Sequence, residues 1–346
     1  MRCRLIPGVF VLLITLTTLA MLAGLVGRVL AAQHIPPALA TLPATLNDAS
    51  SPPSEGVDNR VSLRSTANLS YTTYLPIIIV PFVERITFAA DGQVYVIGIF
   101  GQNVRMLTTT GGGTPDWSPN NGSLVFDSIR DGNGEIYTMK ANGTTQTNIT
   151  NHPGQDGQPS WSPDGSRIAF ATKRDGNREI YTMRPDGSDL RRVTNHPADD
   201  AVPDWSPDGS KLVFASDREG REGIYVINSD GTGETLPLTD LSAWSPAWSP
   251  DGSQIAFESY EVGDGNIYVV NADGSGNLLM ISNHPADDLE PDWSADGSQL
   301  VFSSNRNGDF NLYVVAADGS GELRQLTSGF TDAHYPDWSW FPPATP

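Results

Sequence analysis

Hydrophobic residues along this chain come in short runs, and each run is closed by a polar turn. "RIAF" (167–170), "EIYTM" (179–183), "KLVF" (211–214) and "GIYVI" (223–227) set the rhythm. Runs this short, rich in β-branched and aromatic residues, predict strands, and nothing of helical length intervenes. The turns carry their own chemistry. In "SPDG" the proline presets φ, the aspartate tolerates the next position and the glycine takes a positive φ. Asn142-Gly143, Asp186-Gly187, Asp230-Gly231, Asp273-Gly274 and Asp318-Gly319 are tight hairpin turns.

The pattern repeats. Trp117, Trp161, Trp205, Trp248, Trp293 and Trp338 are spaced 44, 44, 43, 45 and 45 residues apart. In five units a Phe follows the Trp by nine residues, a Tyr follows the Phe by eleven and a Gly follows the Tyr by six. Each unit resolves into four antiparallel strands, and such a unit in series is a β-propeller blade. The fold class expected is therefore all-β, a six-bladed propeller with the six Trp as its repeating structural core, wedged with Phe and Tyr between blades. Residues 86–110 match strands two to four of a unit, and "YPDWSWF" (335–341) matches a first strand. Stitching them together completes the sixth blade and leaves no open sheet edge. "IIIVP" (77–81) competes for that place, but the C-terminal segment carries the shared "PDWS" letters.

The chain divides into three segments. In residues 1–32, Arg2 and Arg4 precede an almost uncharged run of 22 residues, Leu5 to Val26, and then Arg28 and "VLAAQ". This reads as a cleaved signal peptide or an uncleaved transmembrane signal anchor, the length of the run favouring an anchor. Either way the remainder is expected to be exported to the cell envelope, the periplasm or the exterior. Residues 33–82, with seven prolines and few charges, read as a Pro/Ala/Ser/Thr-rich linker preceded by an anchor helix or signal, although "YLPIIIVPF" (74–82) is apolar enough to pack on the propeller. Residues 83–346 are the propeller. The lone Cys3 leaves that domain no disulfide and no thiolate metal site.

The pattern P-x-W-S-P-D-G-x-x-I-A-F, then E-I-Y-x-M, D-G and L-T, resembles the TolB-type, WD-like propeller repeat over roughly 83–341. The resemblance implies a six-bladed fold related to a periplasmic propeller that binds partner proteins in the cell envelope. Similar propellers cap prolyl-oligopeptidase-type peptidases or form carbohydrate-active enzymes. The chain departs from the family's best-known member in showing an anchor and tether, not an α/β domain, ahead of the propeller. Fold resemblance does not transfer function. A peptidase reading lacks its Gly-x-Ser-x-Gly elbow.

Charge narrows the partners. The net charge is −19, and residues 83–346 hold 16 Lys/Arg against 37 Asp/Glu, which repels phosphate backbones and excludes nucleic acid. Asp156, Asp200 and Asp288 lie five residues before a Trp, and Asp199, Asp287 and Asp332 lie six before; these carboxylates are expected at one mouth of the channel, as partner-binding or cation candidates. His152, His196 and His284, each in "NHP", are weak metal candidates that read equally well as turns. "DGNGE" and "DGNRE" lack the spacing of a calcium loop. Trp244 is a candidate contact anchor or an inter-blade packing residue. No catalytic constellation and no required cofactor is visible, with Ca2+ or another divalent cation as the candidate ligand. The expectation is a non-catalytic, monomeric, exported scaffold for a protein or peptide, basic in character, that meets the membrane through its N-terminal segment alone. The rival is a metal-dependent carbohydrate-active or sugar-binding propeller.

Overall fold

A computed structural model describes residues 60–62, 74–76, 84–233 and 236–339. The predicted signal or anchor, most of the linker and the competing segment 77–81 lie outside the described residues. Among the described residues no helix is long and apolar enough to cross a membrane. Arg60–Ser62 and Tyr74–Pro76 pair as a two-stranded antiparallel ribbon, with Val61 opposite Leu75.

The unit Glu84–Pro343 is a ring of six four-stranded antiparallel sheets. Blade 1 comprises Ala333–Trp338, Arg85–Ala90, Gln93–Gly98 and Arg105–Met106. The first strand of blade 2 is Gly113–Trp117, of blade 3 Asp156–Trp161, of blade 4 Asp200–Trp205, of blade 5 Ala243–Trp248 and of blade 6 Asp288–Trp293; each starts a sheet of four strands consecutive in sequence. The C-terminal strand closes the ring: Ala333 pairs with Ala90 and Trp338 with Ile86. The shared "PDWS" letters thus identify the closing strand.

The aromatic repeat forms the core. Phe88, Phe126, Phe170, Phe214, Phe257 and Phe302 are all fully buried. In blades 2 to 6 each Phe lies directly opposite a Tyr of the third strand, as Phe170 does Tyr181, with ring centroids 6.3 Å apart in that pair. Hydrophobic clusters join adjacent blades: Ala169, Ile180 and Val193 of blade 3 pack with Trp205, Phe214 and Tyr225 of blade 4. Truncating one such Phe to Ala costs about 3–5 kcal/mol.

Every first strand is bulged at the same place. The ladder slips between Gly157 and Ser160, between Ala201 and Asp204, and at the matching positions of the other four blades. The cause is the proline two residues before each Trp, which has no amide to donate; the strand edges the channel, where proline is tolerated. The residue before that proline takes a left-handed φ in all six blades, from 34° at Thr114 to 56° at Gln158 and Glu290. Val202 does so despite its branched Cβ, at 50°. The bulge pulls a backbone amide out of the ladder towards the neighbouring blade, and this decides what the channel contains.

Candidate functional site

Two faces flank the ring. The "SPDG" and Asp-Gly turns make the turn face; the hairpins between strands two and three, with the blade-to-blade connections, make the loop face.

At the loop face the preceding blade captures the amides left by four of the six bulges. The Gln158 amide donates to Asp127 Oδ2 at 3.2 Å, Val202 to Gln158 Oε1 at 3.2 Å, Glu290 to Glu258 Oε2 at 2.6 Å and Tyr335 to Glu290 Oε2 at 2.8 Å. Glu290 also accepts from Ser303 Oγ at 3.0 Å, and His334 Nδ1 stands 2.9 Å from it. His334 Nε2 lies 2.8 Å from Asp332. Blades 5, 6 and 1 thereby assemble a sector of carboxyl groups with a single imidazole among them.

That crowding sets the electrostatics. Burial first, then the Glu290 charge, pushes Glu258 up to about 8. Burial raises Asp127 as well, against the bonds it receives from Thr114 and Gln158. Burial alone would lower His334, but its bonds to Glu290 and Asp332 outweigh that and raise it, favouring the imidazolium. Tyr260 is pushed up to about 12 by burial and then by Glu258, Asp287, Glu290 and Glu222. Tyr260, Val262 and Tyr335 are exposed on the same sector. Between Arg221 and Arg306 the chain carries no Lys or Arg, so blade 5 has no cation of its own.

The carboxylates singled out in the sequence sit elsewhere. Asp156, Asp200 and Asp288 are buried beneath arginines, with Arg174 3.2 Å, Arg218 2.9 Å and Arg306 2.7 Å away. Each guanidinium also lies over its blade's Phe and Tyr, as Arg218 does at 5.0 and 4.7 Å from the ring centroids. These three aspartates are therefore neutralised and shielded from the mouth. Asp199 and Asp287 accept the amides of Arg178 (2.8 Å) and Gly265 (3.0 Å), lashing a connection to the hairpin of the preceding blade. Of the six, Asp332 joins the acidic sector through His334, and Asp287 borders it, its charge helping to raise Tyr260.

The histidines splay apart. His152, His196 and His284 each use Nδ1 to accept an amide two residues on, from Gly154, Ala198 and Ala286 at 3.0, 3.1 and 3.1 Å. Among the described residues no three His, Cys, Asp or Glu side chains are placed to hold a metal ion. In the "DGN" hairpins Asp131 and Asp175 accept the hydroxyls of Tyr137 and Tyr181. Trp244 is half-buried and packs against the clusters of both blades 4 and 5.

At the turn face the channel narrows to a cavity of about 110 Å³, edged by Asp116, Asp204, Asp292 and Asp337. Each is the residue before a Trp and reaches the Trp amide of the next blade: Asp116 that of Trp161 (2.7 Å), Asp204 that of Trp248 (2.8 Å), Asp292 that of Trp338 (2.6 Å) and Asp337 that of Trp117 (2.8 Å). Burial raises all four, Asp204 to about 6 and Asp292 to about 7. The sequence reading missed these four, because in each of their repeats the Asp sits inside "PDW" and reads as part of the wedge, with Ser160 and Ala247 at the matching places of blades 3 and 5.

The architecture, then, is a six-bladed β-propeller whose channel carries carboxyl groups at both ends. The family model described as the TolB beta propeller domain matches residues 143–239 and 238–342, more than half of the chain. The chain belongs to that family. Among solved structures, TolB from Acinetobacter baumannii is similar with a TM-score of 0.66 and 24% identity, over 74% of this chain and 66% of that one. This chain thus spans just under two-thirds of that protein and resembles it in fold alone. A putative TolB from Agrobacterium tumefaciens aligns with a TM-score of 0.61 and 24% identity, over 75% of this chain and 99% of that one. A chain of a nidogen/laminin complex aligns with a TM-score of 0.62 and 12% identity, over 74% of this chain and 98% of that one. No curated protein matches the sequence.

Proposed function

We propose that this protein is a non-catalytic, exported binding scaffold whose loop face, at blades 5, 6 and 1, receives a basic segment of a partner protein or peptide. One observation carries the reading: Glu222, Asp287, Glu290 and Asp332 share that sector with His334, and blade 5 at its centre carries no Lys or Arg, while on blades 3, 4 and 6 an arginine cancels the aspartate that starts the first strand. A surface on which one sign of charge predominates concentrates the opposite charge. Tyr260, Val262 and Tyr335 add exposed apolar surface beside it. Tyr and other aromatic residues are the common anchors of such contacts. Export is supported by the basic-apolar pattern of residues 1–32, with residues 5–26 as the anchor and the ring as a monomeric head.

The rival metal-dependent, carbohydrate-directed reading loses its donors, because Asp156, Asp200 and Asp288 are spent on arginines and the histidine Nδ1 atoms on backbone amides.

The test is a fluorescence titration of the protein with oligolysine and with oligoglutamate at two salt concentrations. Oligolysine is expected to bind, more weakly as salt rises, and Asp332→Asn combined with Glu290→Gln is expected to weaken it about tenfold, or ~1.4 kcal/mol. Equal binding of both peptides, or an unchanged affinity in the variant, would overturn the reading.

A further inference from the structure

Blade 1 is assembled from the two ends of the described ring, so its closing strand has no covalent link to the sheet it completes. At the turn face Ser339 bonds to Arg85 and the Trp338 amide to Asp292 of blade 6, and what ties that strand forward to blade 2 is Asp337. Its Oδ2 accepts the Trp117 amide of blade 2 at 2.8 Å and the Thr87 hydroxyl of blade 1 at 3.3 Å. Because Trp117 follows Asp116 directly, this places the Asp337 carboxyl group beside that of Asp116 at the edge of the same cavity, within hydrogen-bonding reach. Two carboxyl groups bond to each other only when one of them carries a proton.

We propose that the ring is closed by a proton latch: one proton held between Asp337 and Asp116 fastens the closing strand to blade 2, and its loss loosens that strand. The proton would leave the carboxyl–carboxyl hydrogen bond for solvent, and two adjacent carboxylates would remain. The groups that face the pair are Asp204 and Asp292, both acidic, with the Trp117 and Trp161 amides and the Thr87 hydroxyl as neutral donors. Glu84, bonded to the Trp338 indole, is acidic too and faces Asp296. Among the described residues no Lys, Arg or His lines this cavity. Nothing there would compensate the second charge.

The direction of the shifts gives the sign. Burial first, then the charges of Asp204 and Asp292 on Asp116 and of Asp116 and Asp292 on Asp337, hold both well above the ordinary aspartate value, although the bond to Asp337 by itself lowers Asp116. Their contribution is therefore complete below the unfolded value of about 4 and is lost as pH rises through the folded value. The loosening is expected on the alkaline side.

Hydrogen exchange of the full chain, compared at about pH 6 and about pH 9, reads the latch directly. Protection of the amides of Ala333–Trp338 is expected to fall about tenfold or more with the rise, the equivalent of one pKa unit. The outer strands of blade 3 should not follow. In Asp116→Asn the amide replaces the shared proton with a permanent N–H, so protection of 333–338 should hold at both pH values. Because Asp116 lies outside the closing strand, this variant tests the latch even if Asp337→Asn fails to fold. Glu258→Gln, at the other end of the channel, should leave the fall intact. Equal protection in the wild type at both pH values, or the same fall in Asp116→Asn, would overturn the proposal.

Discussion

Blades 3 and 5 are written in the same repeat and differ in how they treat one buried position. Blade 3 has Asp156 at the start of its first strand and Arg174 in its hairpin, bonded to each other over Phe170 and Tyr181. Blade 5 has Ala243 and Glu261 at the same two places. Both halves are exchanged together. Blade 2 is the intermediate case: Gly112 replaces the aspartate, yet Arg130 stays over Phe126 and Tyr137, bonded to the Gly111 carbonyl and Gln146. The asymmetry is physical. An arginine without its aspartate can turn its donors to neutral carbonyls, whereas a buried aspartate without its arginine is an uncompensated charge. Where the pair is kept, that position is neutral and plugged; blade 5, which drops it, leaves its part of the acidic sector without a cation.

The largest effect should come from breaking the pair on one side only. Arg218→Ala strands Asp200 beneath its loop and is expected to cost about 3–5 kcal/mol in a denaturant unfolding experiment. The double change Asp200→Ala with Arg218→Glu copies blade 5 and should recover much of that loss. If it does not, blade 5 owes its stability to something other than the paired exchange.

A smaller effect sharpens the comparison from the blade 5 side. Glu258 titrates near 8 in the folded ring and near 4.5 unfolded, so its contribution is complete below about pH 4.5 and drains away as pH rises through 8. Glu258→Gln keeps an acceptor for the Glu290 amide and removes the charge. The variant should therefore gain on the wild type with rising pH, by about 1 kcal/mol or more at pH 8, in parallel thermal melts. A constant difference across the range would mean that Glu258 is already ionised in the fold.

The smallest effect expected is none. Melts of EDTA-treated protein with calcium, manganese or zinc added at micromolar concentration should show no rise in Tm, because the candidate aspartates and histidines are already bonded within their own loops. A rise of several degrees would return the metal-dependent reading to first place.

Much of the fold was legible in one dimension. The Trp-to-Phe, Phe-to-Tyr and Tyr-to-Gly intervals are set by hairpins, in which residues that meet are close in sequence, and the letters shared by 335–341 with other first strands marked the closing strand. The plugging of Asp156 was within reach too: Arg174 is eighteen residues on, and laying the repeats side by side shows an arginine at that interval after each of Asp156, Asp200 and Asp288. Treating each aspartate singly hid the relation.

The channel was not legible in that way. Glu258, Glu290 and His334 come from three blades, 32 and 44 residues apart, and a bulge that withdraws an amide from the ladder makes each carboxyl group necessary to its neighbour. Asp116 and Asp337 meet only because the ring closes. Local intervals and turn residues determined the strand, the hairpin and the blade, since those depend on backbone preference and side-chain alternation. Which carboxyl groups are neutralised, protonated or left open to a partner was decided by the tertiary structure, because burial and the charges of other blades, not the residue's own neighbours in the chain, set the cost of each charge.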